Sequence, residues 1–262
     1  ERAGRVADFM EFADLMVQIR HTPDRGWHDA AVLPFGPLPL SPAAKVLHYG
    51  AEIFEGHKAY RQPDGRVALF RPELNARRLN ASARRLRLPE IPEALQLGAL
   101  HALVHAVQDW VPAAPDTSLY LRPALIAIEP ALGVGPAAEH LYFVIASPVG
   151  TYFRADRPCL ALRVEEQQVR ASPGGTGAAK AGGNYAAGVD AQQRALEEGF
   201  DQVLWLDARE HRWLEELSAM NVFIVEDGEL VTPPLGDTVL AGITRRSILE
   251  QVVRSLDDRV VV

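Results

Sequence analysis

The pattern of hydrophobic and polar positions predicts an alternation of strands and helices in the first part of the chain. Helical spacing of apolar residues predicts a helix over 73–86, with Pro72 at its start, and a second helix over 93–110. Pro-Asp-Gly within residues 59–70 (AYRQPDGRVALF) predicts a β-hairpin. Alternating or continuous apolar segments predict strands at residues 15–20, 30–35, 118–128 and 140–149.

The second part of the chain has the same mixed pattern. A helix is predicted over 185–196, stopped by Gly199, and another over 242–256. Asp-Gly at the tip of residues 221–233 predicts a hairpin. Further strands are predicted at residues 159–166, 202–207 and 211–217. Helices and strands therefore occur in both halves, as in an α/β or α+β protein.

A turn-rich segment at 150–158 (GTYFRADRP) predicts a linker between an N-terminal domain over 1–149 and a C-terminal domain over 159–262. A length of 262 residues is compatible with two lobes. The last residues, RVVV, have the pattern of a strand that is only beginning, and the sequence does not start with methionine. We therefore expect that the natural protein is longer and that the C-terminal domain is incomplete here.

Composition narrows the function classes. Hydrophobic residues make up 48% and charged residues 23%, which is typical of a globular protein. The net charge of -7 argues against a general nucleic-acid binder, and we interpret the arginines of 77–87 as a solvated or partner-facing helix face. A single cysteine, Cys159, excludes an internal disulfide and a cysteine-rich zinc site, and no metal is expected. With no apolar run near ~18 residues and no signal-peptide pattern, a cytoplasmic location is expected.

The segment GGTGAAKAGGNYAAG (174–188) places Lys180 among glycines and alanines. A loop lysine without chemistry is one interpretation. A phosphate loop of the Walker type is excluded in detail, because it needs glycine before the lysine and serine or threonine after it, and both neighbours are alanines. The remaining reactive role is a covalent bond to a carbonyl cofactor. We interpret the small residues as room for that cofactor.

A pyridoxal phosphate enzyme also needs a carboxylate for the pyridine nitrogen, a phosphate site and usually a phenol. Glu216 is a candidate carboxylate, and Tyr185 is a candidate phenol five residues after Lys180. The turn AGIT (241–244) before a helix and Arg71 are candidates for the phosphate. Taken singly, each of these features has an ordinary structural explanation, such as an exposed side chain or a plain helix start.

Residues 48–90, containing HYGAEIFEGHKAY, resemble the branched-chain amino acid aminotransferases, which are pyridoxal phosphate enzymes of fold type IV. The resemblance covers nearly the whole chain and continues in SLYLRP (118–123), GGTGAAKAGGNY (174–185), EELSAMN (215–221) and LAGITRRSIL (240–249). It implies an α/β (α+β) fold with a smaller N-terminal α/β domain and a larger C-terminal pseudo-barrel domain. It also implies a homodimer.

The same resemblance implies roles at the cofactor. Lys180 would carry pyridoxal 5'-phosphate and transfer the proton, Glu216 would pair with the pyridine nitrogen, and Tyr185 would lie near the phenolic oxygen. The phosphate would be bound by Arg71 and the backbone amides of Ile243 and Thr244.

On the substrate side, the resemblance implies that Arg122 binds the distal carboxylate of glutamate or 2-oxoglutarate. It also implies a side-chain pocket lined by Phe54, Tyr49, Tyr120 and Tyr152. An aromatic pocket suits leucine, isoleucine and valine, because burying a branched alkyl group contributes roughly 1.5–3 kcal/mol. The implied reaction is transamination of these or related hydrophobic amino acids with 2-oxoglutarate, with ping-pong kinetics.

The sequence departs from the family at three places. Ala219 replaces a glycine or threonine, Ala241 replaces a proline, and the family's later Gly-Thr-Ala turn is expected to lie outside the given sequence. Three alternatives remain: a D-amino acid aminotransferase or aminodeoxychorismate lyase, a non-catalytic relative, and a nucleotide-binding protein. The FEGHKAY and YLRP segments argue against the first.

Overall fold

The structure, a computed structural model, describes residues 10–150, 159–255 and 260–261. Contacts between Cα atoms divide the chain into two compact units, Glu1–Asp156 and Arg157–Val262. Residues 151–158 of the predicted linker lie outside the described residues, so the predicted domain boundaries stay a prediction. Among the described helices, none has both the length and the apolar character needed to cross a membrane.

The first unit is built on one antiparallel sheet. Its strands are β1 (Leu15–Thr22), β2 (Gly26–Pro34), β3 (Glu52–Phe54), β4 (His57–Arg61), β5 (Val67–Leu69), β6 (Ser118–Ala127) and β7 (His140–Val149). The strand order is β2-β1-β7-β6-β4-β5, and β3 pairs with β6 beyond the end of β4. Its helices are α1 (Lys45–Tyr49), α2 (Pro72–Leu86), α3 (Glu93–Ala106) and a short 3₁₀ helix (Gln108–Trp110). The four predicted strands and the predicted hairpin are confirmed.

The core of this unit lies between the sheet and helices α2 and α3. Strands β6 and β7 pair along their whole length, and nearly all their side chains are buried, as their continuous apolar sequences predict. Helix α3 packs on β1 and β7, and α2 packs on α3 and β3. The buried apolar face of α2 has helical spacing and consists of Leu74, Ala76, Leu79 and Ala83.

Two expectations for this unit are wrong. Helix α3 ends at Ala106, and the predicted continuation to 110 is the 3₁₀ helix, which turns the chain toward Pro112. The arginines of 77–87 are not all solvated. The side chain of Arg78 is turned inward and forms an ion pair with the buried Glu55, whose oxygen lies 2.7 Å from the Arg78 Nε.

The described residues of the second unit form two small sheets and three helices. Its strands are β8 (Leu162–Glu165), β9 (Gln202–Leu206), β10 (Leu214–Leu217), β11 (Ile224–Glu226), β12 (Glu229–Val231) and β13 (Val260–Val261). Its helices are α4 (Gly182–Ala186), α5 (Val189–Glu197) and α6 (Ile243–Ser255). One sheet has the order β10-β9-β8, with β8 and β9 parallel, and the other has the order β11-β12-β13. The predicted hairpin with Asp-Gly at its tip is confirmed as β11–β12.

The predicted helix over 185–196 is interrupted, and α4 and α5 are separate helices. The interruption is at Gly188, where a Cβ atom would lie 3.3 Å from Cζ2 of the buried Trp205. Trp205 forms the centre of a small core with Ala191, Ala195 and Val203. The strand predicted over 159–166 is also shorter, because only residues 162–165 pair with β9.

Candidate active site

Lys180 lies two residues before helix α4, and Tyr185 on that helix contacts it. The Nζ of Lys180 donates a hydrogen bond to the hydroxyl of Tyr185 at 2.6 Å. The same nitrogen lies 5.0 Å from the centre of the Tyr185 ring. The amine is half-buried. The structure thus brings together the predicted lysine and the predicted phenol.

Asn184 fixes the backbone on the N-terminal side of Lys180. Its buried amide donates to the carbonyl oxygens of Thr176 and Ala179, each at 2.8 Å. Its Oδ1 accepts a hydrogen bond from the Thr176 hydroxyl at 2.7 Å. Because all three bonds end within four positions of Lys180, this side chain holds the lysine segment against α4. No role was predicted for Asn184 from the sequence.

The interpretation of the glycines as room for a ligand is wrong at Gly177. A Cβ atom there would lie 2.7 Å from the Thr238 Cα and 2.8 Å from the Asp237 carbonyl oxygen. The backbone N–H of Ala178 also donates to the Asp237 carbonyl at 2.9 Å. The missing side chain therefore lets two backbone segments pack together. At Gly183, by contrast, a Cβ would meet nothing within 4 Å.

Glu216, the predicted partner of a pyridine nitrogen, is a buried carboxylate on β10 and is only 3% exposed. Its Oε1 lies 2.5 Å from Nη2 of Arg170. The Asn221 amide donates to Oε2 at 3.2 Å, and the Leu240 N–H approaches Oε1 at 3.4 Å. Burial raises the pKa of Glu216 to about 7, and the nearby charges of Arg170 and Lys180 oppose that rise.

Arg170 is a residue of this site that sequence reasoning missed. Its Nη2 donates to the carbonyl oxygens of Gly177 at 2.7 Å and Thr238 at 2.6 Å, in addition to its ion pair with Glu216. The side chain is buried. Its position ten residues before Lys180 belongs to no periodic pattern, so the only trace in the sequence is a charged residue close to the glycine-rich segment.

The predicted phosphate turn does precede a helix. Helix α6 begins at Ile243, so the N–H groups of Ile243 and Thr244 belong to its first turn, where no intrahelical acceptor exists. Gly242 is needed here, because a Cβ would collide with Oδ1 of Asn221. The Asn221 amide also donates to the Leu240 carbonyl at 2.9 Å. Asn221 thus connects this turn to Glu216, while phosphate binding stays a prediction.

In the first unit, the structure brings together Phe54, Tyr120 and Arg122 from strands β3 and β6. The Arg122 guanidinium lies 4.6 Å from the centre of the Phe54 ring and 5.2 Å from that of the Tyr120 ring. Its Nη2 donates to the Tyr120 hydroxyl at 2.9 Å. The Nε of Arg122 is buried and has no hydrogen-bond partner among the described residues. A cation held between two rings in this way can receive a carboxylate.

The other predicted residues of the first unit have different surroundings. Arg71 precedes α2 in a left-handed conformation, with φ of 47°, which is strained for a non-glycine residue. The hydroxyl of Tyr49 donates to the carbonyl oxygen of Leu132. Tyr152 lies outside the described residues. The binding roles of these three residues stay predictions.

One protein family matches most of this chain. The amino-transferase class IV family matches residues 52–256, so this chain belongs to it. The branched-chain-amino-acid aminotransferase of Mycolicibacterium smegmatis is 53% identical over 244 residues, which cover 91% of this chain and 66% of that protein. The chain therefore spans about two thirds of the length of this curated relative.

Solved structures agree with this assignment. The Escherichia coli branched-chain amino acid aminotransferase matches with a TM-score of 0.80 and 26% identity, over 95% of this chain and 77% of that one. The T.th. branched-chain amino acid aminotransferase complexed with N-(5'-phosphopyridoxyl)-L-glutamate matches with a TM-score of 0.74 and 29% identity, over 98% of this chain and 76% of that one. The predicted family and the predicted mixed α/β fold are confirmed.

Proposed function

We propose that the protein catalyses pyridoxal phosphate-dependent transamination between L-leucine, L-isoleucine or L-valine, or a related hydrophobic amino acid, and 2-oxoglutarate. The observation that carries the proposal is the Lys180 amine, held 2.6 Å from the Tyr185 hydroxyl and close enough to the buried Glu216 for its charge to act on that carboxylate. Membership of the class IV family and the names of the relatives support the same activity.

The residues present fit pyridoxal 5'-phosphate. An amine suits its aldehyde, a phenol suits its ring oxygen, a buried carboxylate suits its ring nitrogen, and the first turn of α6 suits its phosphate. When bound, this cofactor supplies an electron-withdrawing ring that stabilises negative charge at the substrate α-carbon. No metal ion is required by this chemistry.

Each residue then has a specific task. Lys180 would hold the cofactor through its amine, and its Nζ would take the proton from the substrate α-carbon. The Tyr185 hydroxyl, which accepts the hydrogen bond from Lys180, orients that amine. The carboxylate of Glu216 holds a proton at the cofactor ring nitrogen. The amides of Ile243 and Thr244 would bind the phosphate. For Arg71 we retain the phosphate-binding role that the resemblance implies.

Substrate selection rests on the first unit. The Arg122 guanidinium binds the distal carboxylate of glutamate or 2-oxoglutarate, and the Phe54 and Tyr120 rings that flank it offer an apolar surface to an alkyl side chain. One site can therefore accept either side chain in the two half-reactions. For Tyr49 and Tyr152 we retain the pocket-lining role that the resemblance implies.

We also propose that the protein acts as a homodimer in the cytoplasm. The homodimer is supported by an exposed apolar surface on the first unit. This surface includes Leu132 and Val134, which are exposed by 67% and 85%. Leu47 and Tyr49 of α1 are exposed in the same region, since the Tyr49 hydroxyl bonds to Leu132. A partner subunit would cover these side chains. Mass measurement in solution, compared between the wild type and Val134→Asp, tests this: a wild-type monomer would contradict it.

The central test is covalent trapping. After reduction of the cofactor-loaded protein with borohydride, mass spectrometry should find the pyridoxyl group on the peptide that contains Lys180. Lys180→Ala should abolish the label, while Lys58→Ala, which alters an exposed lysine of β4, should retain it. ATP binding without any pyridoxyl label would favour the nucleotide-binding alternative.

The amino acid preference is tested by following the absorbance of the loaded protein as single amino acids are added. L-Leucine, L-isoleucine and L-valine should each convert the cofactor to its amino form, and 2-oxoglutarate should reverse the change. No response to these three amino acids would overturn the substrate assignment. A response to D-amino acids alone would instead favour the same-fold alternative.

A further inference from the structure

A single guanidinium nitrogen connects three separate parts of the second unit. Nη2 of Arg170 contacts the Gly177 carbonyl in the lysine segment, the Thr238 carbonyl before α6, and the Glu216 carboxylate on β10. Arg170 and Glu216 are both nearly inaccessible to solvent, at 8% and 3% exposure. The Nε of Arg170 is buried and has no hydrogen-bond partner within the described residues.

Burying such an arginine is unfavourable unless its charge is compensated. Taking a guanidinium and a carboxylate out of water has a desolvation cost that a single ion pair often fails to recover, so a buried pair is not explained by stability alone. The two carbonyl contacts add directional hydrogen bonds but do not need a positive charge. The charge of Arg170 is therefore most simply explained by the acid that it faces.

We propose that Arg170 is a positioning residue that favours the ionised form of Glu216, so that Glu216 can hold a proton on the cofactor ring nitrogen. This inference rests on the proposed function for the identity of the cofactor. It goes beyond that function in giving Arg170 a role in the charge state of the site.

The charges around Glu216 agree with this role. Burial raises the pKa of Glu216, the adjacent Glu215 raises it further, and Arg170, the Leu240 N–H and Lys180 lower it. Asn221 donates a neutral hydrogen bond to the same carboxylate. Because Lys180 is the residue that bonds to the cofactor, its charge changes with the state of the site, whereas the guanidinium of Arg170 stays charged throughout.

Burial and the charge of Glu215 both raise the pKa of Glu216. Without Arg170, much less would oppose that rise. Glu216 would then be neutral at pH 7 and could no longer stabilise a positive ring nitrogen. The carbonyl oxygens of Gly177 and Thr238 would also lose their hydrogen-bond donor. The test must therefore distinguish the loss of these hydrogen bonds from the loss of the positive charge. Arg170→Lys retains the charge, and Arg170→Gln retains donors for the carbonyls but not the charge.

The experiment measures Glu216 in the full-length, cofactor-free chain. The unfolding free energy of each variant is compared, from pH 5 to 9, with that of the same variant carrying Glu216→Gln, and the difference reports the ionisation of Glu216. Arg170→Gln should move the midpoint of this difference up by about one pH unit or more, and Arg170→Lys should move it less. Arg163→Met, which breaks a 2.6 Å ion pair with another buried glutamate, should leave the midpoint unchanged.

A second readout uses pyridoxal 5'-phosphate itself. Arg170→Gln should lower the affinity for the cofactor and shift the pH at which its absorbance changes, and adding Glu216→Gln should produce no further change. If Arg170→Gln does not fold, the double variant Arg170→Gln/Glu216→Gln, which removes both charges, is compared with Glu216→Gln alone. Equal cofactor affinity in these two supports the proposal.

The proposal is overturned if folded Arg170→Gln has the wild-type midpoint, or if Arg170→Gln weakens cofactor binding equally with and without Glu216. Either result would make Arg170 a structural residue only. Failure of the proposed function is a different outcome: wild-type protein would show no pyridoxyl label on Lys180, while the midpoint of the cofactor-free protein would still report the pairing of Arg170 with Glu216.

Discussion

Two glutamates of the second unit, Glu165 and Glu216, are both buried, but they differ in the number of hydrogen-bond donors and cations around them. Glu165, at the end of β8, accepts backbone N–H groups and guanidinium contacts from Gln167 (2.9 Å), Gln168 (3.0 Å), Arg163 (2.6 Å) and Arg194 (3.3 Å). Glu216, on β10, has one close cation, Arg170, and two longer contacts.

The pKa values follow this difference. Burial acts to raise the pKa of Glu165, but the N–H groups of Gln168 and Gln167 and the Arg163 guanidinium outweigh it, and the pKa is lowered. At Glu216, burial prevails and the pKa is about 7. A buried carboxylate whose oxygens all accept hydrogen bonds stabilises the fold. A buried carboxylate with fewer donors can still accept a hydrogen bond from a ligand.

The largest expected effect separates these two roles. Glu216→Gln should lower the turnover of L-leucine by roughly 100-fold, since a neutral amide cannot balance a charged ring nitrogen, and should change the stability little at pH 7. The matched variant Glu165→Gln should do the reverse, with a loss of about 1.5–3 kcal/mol in the free energy of unfolding and near-normal turnover per folded molecule. Steady-state kinetics and urea denaturation measure both. Equal losses of turnover would break the comparison.

The pH dependence of stability should have opposite signs at the two glutamates. The folded protein binds the Glu216 proton more tightly than the unfolded chain, so this contribution is complete below the ordinary pKa of 4.5 and is lost as the pH rises to about 7. Its size is roughly 3 kcal/mol. The contribution of Glu165, whose pKa is lowered, is present above the ordinary pKa and is lost as the pH falls through the folded pKa.

Chemical denaturation of the cofactor-free protein between pH 4 and 8 checks these signs. Subtracting the curve of Glu216→Gln from that of the wild type should give a stabilisation that decreases toward pH 7. The same subtraction with Glu165→Gln should give one that increases over the acidic range. A flat difference curve for Glu216 would mean that its pKa is the same in the folded and unfolded chain, which would contradict the raised value.

The smallest expected effect comes from a single neutral donor. Asn221→Ala removes the 3.2 Å hydrogen bond to Glu216 and should raise the pKa of that carboxyl by less than about one unit, because one hydrogen bond contributes about 0.5–1.5 kcal/mol. The difference titration described for Arg170 measures it. Gln193→Ala, on the exposed side of α5, is the control and should have no effect. A shift as large as that of Arg170→Gln would make the amide as important as the guanidinium.

The sequence predicted what depends on neighbours along the chain. The continuous apolar runs of β6 and β7 and the Pro-Asp-Gly turn are local patterns, and they predicted these elements correctly. The contact between Lys180 and Tyr185 is also local, because the two residues are only five positions apart in the sequence. These features needed no knowledge of the tertiary structure.

The features that were missed depend on residues distant in sequence. The close packing of Gly188, between α4 and α5, against Trp205 is not revealed by any pattern within 185–196. Arg170 acquires its role only when Gly177, Thr238 and Glu216 converge on it. The donor count that distinguishes Glu216 from Glu165 likewise belongs to the folded arrangement, because both are ordinary glutamates in strand-like sequences.

The close packing at Gly177 has a consequence for the order in which the protein folds. The lysine segment is completed by the backbone around Thr238, and Thr238 follows Arg170 by 68 positions. Closing so long a loop is entropically unfavourable until the intervening β9 and β10 have formed. During synthesis, the segment that carries Lys180 is therefore made well before the backbone that completes it.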